Sequence, residues 1–277
     1  SWIPVAPIAV REHVPERPAS ATGVYATGIQ LGATAAAGLA VPLAAWLGGW
    51  RGALIAFSAV ACALVVAWLA LTRGGAAHVP AGFPHPPLRS PTAWLLVGVF
   101  ALMGSAYYGL SAWVPDAYIE RGWSDRSAGI LLATMSVMAI PASLAIPYFS
   151  DRFWSRRPWL VGSSTLFLIG AVGLVALPGA AYGWALITGI AQGGMFALVM
   201  TLPLDYEQER ARVGGLVAMM LGLGYTIAAF SPFLLGAVRD VTGSFDAVLW
   251  TAAGFLAVLV LAVLVLPRSR VDAAARA

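Results

Sequence analysis

The sequence predicts an all-α membrane protein of many spans, and three observations carry that prediction. Hydrophobic residues make up 60% of the 277 residues and charged residues 10%, with a mean hydropathy of +0.83. A water-soluble domain of this size could not cover its surface with so few polar groups. The apolar residues gather in runs long enough for a helix to cross a hydrocarbon core, which takes about 20 residues, and the arginines fall in the gaps between those runs.

Eight runs meet the length, near 20–46, 52–72, 92–114, 127–149, 158–177, 181–203, 213–238 and 247–266. Residues 1–10 are expected to be the tail of one more. The chain opens on SWIPVAPIAV, with neither a basic n-region nor a small-residue cleavage site, as if entered partway along a helix. Pro42, Pro141, Pro147 and Pro232 fall inside runs, which a membrane bundle tolerates because neighbouring groups satisfy the freed carbonyls.

Basic residues resist translocation, so their distribution predicts orientation. Counting alternate connections, one side holds Arg11, Arg17, Arg73, Arg89, Arg152, Arg156, Arg157, Arg210, Arg212, Arg268, Arg270 and Arg276, with His13, His78 and His85. The other side holds Arg51, Arg121, Arg126 and Arg239. The first set is expected in the cytoplasm, which makes the chain a multi-pass protein of the cell (inner) membrane with a cytoplasmic C-terminus. A sequence pI near 9.6 does not imply nucleic acid, because the arginines sit in short inter-span gaps and form no patch with interleaved aromatics. The lone Cys62 lies mid-run, where a thiol is expected to pack.

The chain repeats internally. Gly23, Leu31, Gly32, Ala36 and Ala37 match Gly215, Leu223, Gly224, Ala228 and Ala229, each 192 positions on. Gly48, Leu54, Leu64, Val65, Ala67 and Leu69 match Gly243, Leu249, Leu259, Val260, Ala262 and Leu264 at an offset of 195. Four spans separate the copies, so the unit is six helices and the repeat is parallel. Subtracting the offset from the span at Thr92 predicts a further stretch on the order of a hundred residues upstream. The visible spans are then helices five to twelve of twelve, after the end of helix four. Residues 1–73 close one half, 74–91 link the halves in the cytoplasm, 92–266 form the second half and 267–277 the tail.

With positions so assigned, the chain resembles the major facilitator superfamily, and more closely its cyanate and 2-nitroimidazole transporter branch. The likeness is carried by SAYYGLSAWVPDAYIERGWSDRSAG (105–129) and by LGYTIAAFSPFLLGAVRDVTGSF (223–245), although Ser231 precedes Pro232 where the pattern has glycine. The resemblance implies the major facilitator fold of two six-helix halves and alternating-access transport. It also implies an arginine in the first helix, suited to a small anion or polar heterocycle. A monomer in the lipid bilayer, moving a small-molecule substrate with no cofactor, no metal and no nucleic acid, is expected.

The connection PYFSDRFWSRR (147–157) is similar to the superfamily's cytoplasmic Asp-Arg motif. A helix N-terminus carries about half a positive charge, so Asp151 is expected to accept hydrogen bonds there, at the helix beginning near Pro18. Arg152, Arg156 and Arg157 are expected to face carboxylates such as Glu12 and Glu16, which makes the segment a latch on the cytoplasmic side. The alternative is a plain positive-inside anchor. Gly23, Gly28, Gly32 and Gly38, with Gly28 and Gly32 at the usual small-residue spacing, and Gly214, Gly215, Gly222 and Gly224 on the equivalent helix are expected to let helices approach closely where the halves rock.

No ionisable residue lies well inside any complete span, so the visible helices offer no carboxylate for proton coupling. The resemblance assigns the first and fourth helices of a half to the cavity wall. That points to Ser105, Tyr107, Tyr108, Ser111 and Trp113 on 92–114, and to Thr188, Gln192 and Met195 on 181–203. An aromatic ring with a hydroxyl gives an apolar wall and one hydrogen bond, suited to a small planar solute. Gln30 and Tyr25, with Tyr225 and Thr226, are polar on the equivalent helices of the two copies. For each, a hydrogen bond between helices is the competing role. Most tryptophans fall near span ends as an aromatic belt. Asp116, Glu120, Arg121, Asp125 and Arg126 are expected in a solvated outer loop.

An intramembrane enzyme is disfavoured, since no H-E-x-x-H or G-x-S-x-G occurs and histidine is confined to loops. Efflux of small aromatic or nitroheterocyclic compounds, and a non-transporting sensor or assembly subunit, stay open as alternatives.

Overall fold

The computed structural model describes residues 18–71, 86–153, 156–207 and 209–267. In chain order the helices are α1 (Pro18–Trp46), α2 (Trp50–Leu71), α3 (Pro91–Glu120), α4 (Asp125–Arg152), α5 (Arg157–Ala176), α6 (Ala181–Tyr206), α7 (Arg210–Ala229), α8 (Ser231–Thr242) and α9 (Phe245–Val265). No strand occurs among the described residues.

Serines start three helices and glycines end others. The hydroxyls of Ser90, Ser124 and Ser244 accept the amides of Ala93, Ser127 and Ala247, each satisfying a first-turn N–H that has no partner inside the helix. After α8, Gly243 turns the chain at φ +68°, and Gly48 does so after α1 at φ +77°. These two glycines are partners in the 195-residue repeat. Both copies thus leave a long helix through the left-handed conformation that glycine adopts at no steric cost.

The chain forms two compact units, 1–28 with 84–277, and 29–83. In the second unit, the rest of α1 and α2 meet at the turn around Gly48. Helix α2 is apolar and exposed, with Ile55 at 70%, and Cys62, expected to pack, is exposed there too. A helix apolar all round suits lipid.

In the first unit α6 is the central rod, buried without interruption from Ala191 to Pro203. It packs on α4 and α5, while α3 packs on α7 and α9. A methyl group on Gly189 or Gly193 would collide with the carbonyl oxygens of Met135 and Ala139 on α4. Backbone therefore lies against backbone along this seam.

Among the described residues, seven helical spans are long and apolar enough to cross a membrane. Two expectations change. The run 213–238 breaks at Phe230, because Pro232 has no N–H to give and α8 restarts beside it. The 105–120 stretch stays helical through Pro115 to Glu120. Asp116 and Glu120 therefore stand on the last turns of α3, and Asp125 and Arg126 on the first turn of α4, leaving 121–124 as the connection. Charge alone does not end a helix; Gly122, at φ +88°, does.

Candidate functional site

Two polar constellations stand out in the first unit. One is at the end of the bundle where α4 closes and α1 begins. Asp151 closes α4, and its carboxylate accepts hydrogen bonds from Ala19 N (3.4 Å) and from Ser20 N (2.6 Å) and Ser20 Oγ (2.7 Å). The first amides of α1 have no acceptor within their own helix, and a carboxylate satisfies both their geometry and their dipole.

Arg156 completes the group. Its side chain is 2% exposed. Nη2 lies 2.7 Å from Asp151 Oδ1, Nε 3.1 Å from Asp205 Oδ2, and Nη1 donates to Ser150 Oγ at 3.0 Å. One buried guanidinium thus serves two buried carboxylates, and the remaining negative charge faces the positive end of α1. A buried charge survives only when paired and hydrogen-bonded in this way.

The three arginines of the segment part company. Arg156 faces Asp151 and Asp205; Glu12 and Glu16, the carboxylates expected opposite these arginines, lie outside the described residues. Arg157 donates to the carbonyls of Leu264 and Leu266, capping the end of α9, where a cation is favourable. Arg152 is exposed. Sequence missed Asp205, two residues past the expected end of its span, and Ser150. The signal was present: an arginine pair in one inner connection and an acidic residue closing the neighbouring helix.

Below this group α1 stays pressed on α4. Thr27 and Ser143 share a hydrogen bond between hydroxyls at 2.7 Å, and a Cβ on Gly23 would sit 2.7 Å from the Ser143 carbonyl oxygen. Close approach is thus made by Gly23. Among the described residues a Cβ at Gly28 or at Gly32 meets nothing within 4 Å, whereas one at Gly224 would sit 2.5 Å from Phe100 Cδ1.

The second constellation lies at mid-membrane. Tyr107, Ser111, Thr188 and Gln192 come together around a cavity of about 10 Å³, with Ser136, Met135 and Phe167, room for one water-sized body. Thr188 Oγ1 is buried there with no hydrogen-bond partner among the described residues. These groups are hydroxyls and an amide, able to donate and accept but carrying no charge.

The other candidates lie apart from this cavity. Tyr108 tilts against Tyr107 with ring centroids 5.2 Å apart and is 38% exposed. Tyr225 is within electrostatic range of Tyr25, Tyr107 and Tyr108 and meets Phe100 edge-on at 4.9 Å. Trp113 donates to the Pro232 carbonyl at 3.1 Å and lies against Phe245, so it braces α3 to the helix break. Met195 is fully buried, and Gln30 belongs to the second unit.

At the opposite end of the bundle Arg121 donates to Leu174 and Val175 carbonyls and pairs with Asp246 at 2.6 Å, tying α3 to α5 and α9. Glu120 reaches Arg239 at 3.7 Å.

Apolar helices of spanning length, glycine-seamed and holding an uncharged polar cavity above a buried ionic group, define a helical-bundle integral membrane protein. The chain belongs to the Major Facilitator Superfamily, whose model matches residues 2–229 and 117–277. It is 30% identical over 248 residues to the cyanate transport protein CynX of Escherichia coli K12, covering 87% of this chain and 63% of the relative. It is 28% identical to the 2-nitroimidazole transporter of the same organism, covering 86% and 61%. The chain thus spans about three-fifths of the length of these relatives. In fold it is similar to the outward-facing crystal structure of a bacterial homologue of the iron transporter ferroportin, with TM-score 0.64 and 17% identity over 93% of this chain and 66% of that one.

Proposed function

We propose that this chain forms part of a secondary transporter that moves a small polar or anionic solute by alternating access. In this view 1–73 close the N-terminal half, 74–91 link the halves in the cytoplasm, and 92–266 make the second half of a monomer with a cytoplasmic tail. One observation carries it: the Asp151 carboxylate holds the start of α1 while Arg156 locks it to Asp205. The contact is polar, sits at a helix end and can exchange its partners for water, as a cytoplasmic latch must.

The lining of the cavity supports the solute class. Hydroxyls and an amide on α3, α4 and α6 offer hydrogen bonds without charge, which suits a small solute with its own acceptors. The relation to the cyanate transport protein supports a small anion. A second view, export of a small aromatic or nitroheterocycle, is favoured by the rings of Tyr107 and Phe167 in the wall and by the relation to the 2-nitroimidazole transporter.

Counterflow in proteoliposomes tests both, using the full-length protein with labelled cyanate and labelled 2-nitroimidazole. Accumulation of either solute against a preloaded unlabelled pool supports transport and chooses between them. No counterflow of these or other small anions would favour a non-transporting sensor or assembly subunit.

A further inference from the structure

The break at Phe230 leaves a polar atom alone in apolar surroundings. Ser231 is 3% exposed, and its Oγ has no hydrogen-bond partner among the described residues. It lines a groove of about 400 Å³ with Ala101, Leu102, Ile227, Leu234 and Phe255 as apolar walls. An unpaired hydroxyl in such a setting is unfavourable, and a partner for it stabilises the protein.

Depth and charge narrow what that partner is. Ala101, Leu102 and Phe255 lie near the middles of α3 and α9, at a level of the bilayer where water does not reach. A charged ligand is costly there. Ser231 is also the first residue of α8, a helix of 12 residues with proline next in line. The positive end of a helix dipole favours a group with partial negative charge, so the hydroxyl is set to donate.

The groove is separate from the Tyr107 cavity. Ser105 lines the groove and Tyr107 the cavity, and two residues turn a helix by roughly 200°. Opposite faces of α3 thus serve two different sites.

We propose that this groove binds an uncharged, membrane-dissolved small molecule bearing a hydrogen-bond acceptor, to which Ser231 Oγ donates. An acyl chain would fill the volume and leave the hydroxyl unpaired. A ketone, ester or nitro group on an apolar body satisfies both.

Benzophenone, an apolar ketone that inserts into nearby C–H bonds when irradiated, is the probe. It is added to membranes holding the full-length protein, and adducts are mapped by mass spectrometry. Saturable labelling concentrated in 101–105, 227–234 and Phe255 is expected. Ser231→Ala should reduce it at least fivefold without loss of thermal stability, and Ser231→Thr, which keeps the hydroxyl, should retain it. Leu234→Trp, which fills the groove, should abolish it whether or not the Ser231 variants fold. Labelling spread evenly over lipid-facing residues, as from a groove filled by acyl chains, would overturn the proposal. So would labelling unchanged in Ser231→Ala, or its absence from these segments, as if another stretch of protein covered them.

Discussion

The amide of Ser20 donates to the carboxylate of Asp151 across 131 residues of sequence, at 2.6 Å, and the Ser20 hydroxyl adds a second bond at 2.7 Å. The end of α4 is thereby fixed to the beginning of α1 by groups that water can replace. The seam between α4 and α6 is different in kind, because carbonyls there press on glycine Cα atoms and no solvent exchange could substitute for the fit. One contact is polar and exchangeable, and the other is a fixed steric fit.

Asp151→Asn keeps the shape and removes the charge. The attraction to the helix dipole and to Arg156 falls, and exchange of solute is expected to slow about tenfold, equivalent to roughly 1.4 kcal/mol. Expression should stay near normal. Initial rates of counterflow in proteoliposomes provide the check, and unchanged flux counts against a latch.

Arg156→Gln removes the cation that Asp151 and Asp205 share in a buried setting. Breaking a buried ion pair from one side costs about 3–5 kcal/mol, so the melting temperature in detergent should fall sharply. Adding Asp205→Asn to that variant removes one stranded charge and should recover part of the loss. If the single variant melts like the parent, the ionic group contributes little. The exposed pair Arg212–Glu209 serves as control, since surface pairs contribute about 0–1 kcal/mol.

Cysteines at positions 108 and 192, in a Cys62→Ser background, should react with aqueous thiol reagents and be protected by the transported solute. Position 108 is expected to react readily, being 38% exposed, and position 192, at 6%, only as the cavity opens during turnover. Inert thiols at both positions reassign them to packing.

Glycines of the same type should differ by location. Gly193→Ala drives a methyl group into the Ala139 carbonyl, and overpacking of this sort costs about 1–3 kcal/mol. Gly28→Ala meets nothing within 4 Å and should leave the melting temperature unchanged. Equal responses would mean that the α4–α6 seam has room to relax.

Much of the fold was legible because lipid imposes one period and one length on every span. Runs of apolar residues matched the helices to within a few residues, except at the end of α3 and where Pro232 divides one run into α7 and α8. The repeat pairs Gly48 with Gly243, and both residues adopt positive φ. The partner of Asp151 was legible from charge and helix polarity. Asp205 was not, since nothing local in LPLDYEQER says that its carboxylate turns inward to meet an arginine 49 residues earlier. Nor does spacing distinguish Gly23, which packs, from Gly28, which does not. Trp113 reads as a belt or pathway residue until the carbonyl of Pro232 supplies its partner.

Transport by rocking requires α1 and α4 to part on the inner side. Thr27 and Ser143, whose hydroxyls lie 2.7 Å apart, allow this to be tested with a Thr27→Cys, Ser143→Cys pair in full-length protein lacking Cys62. Oxidation to the disulfide should stop counterflow, and reduction should restore it. Flux that continues at the reduced rate constant with the disulfide fully formed would show that these helices never separate.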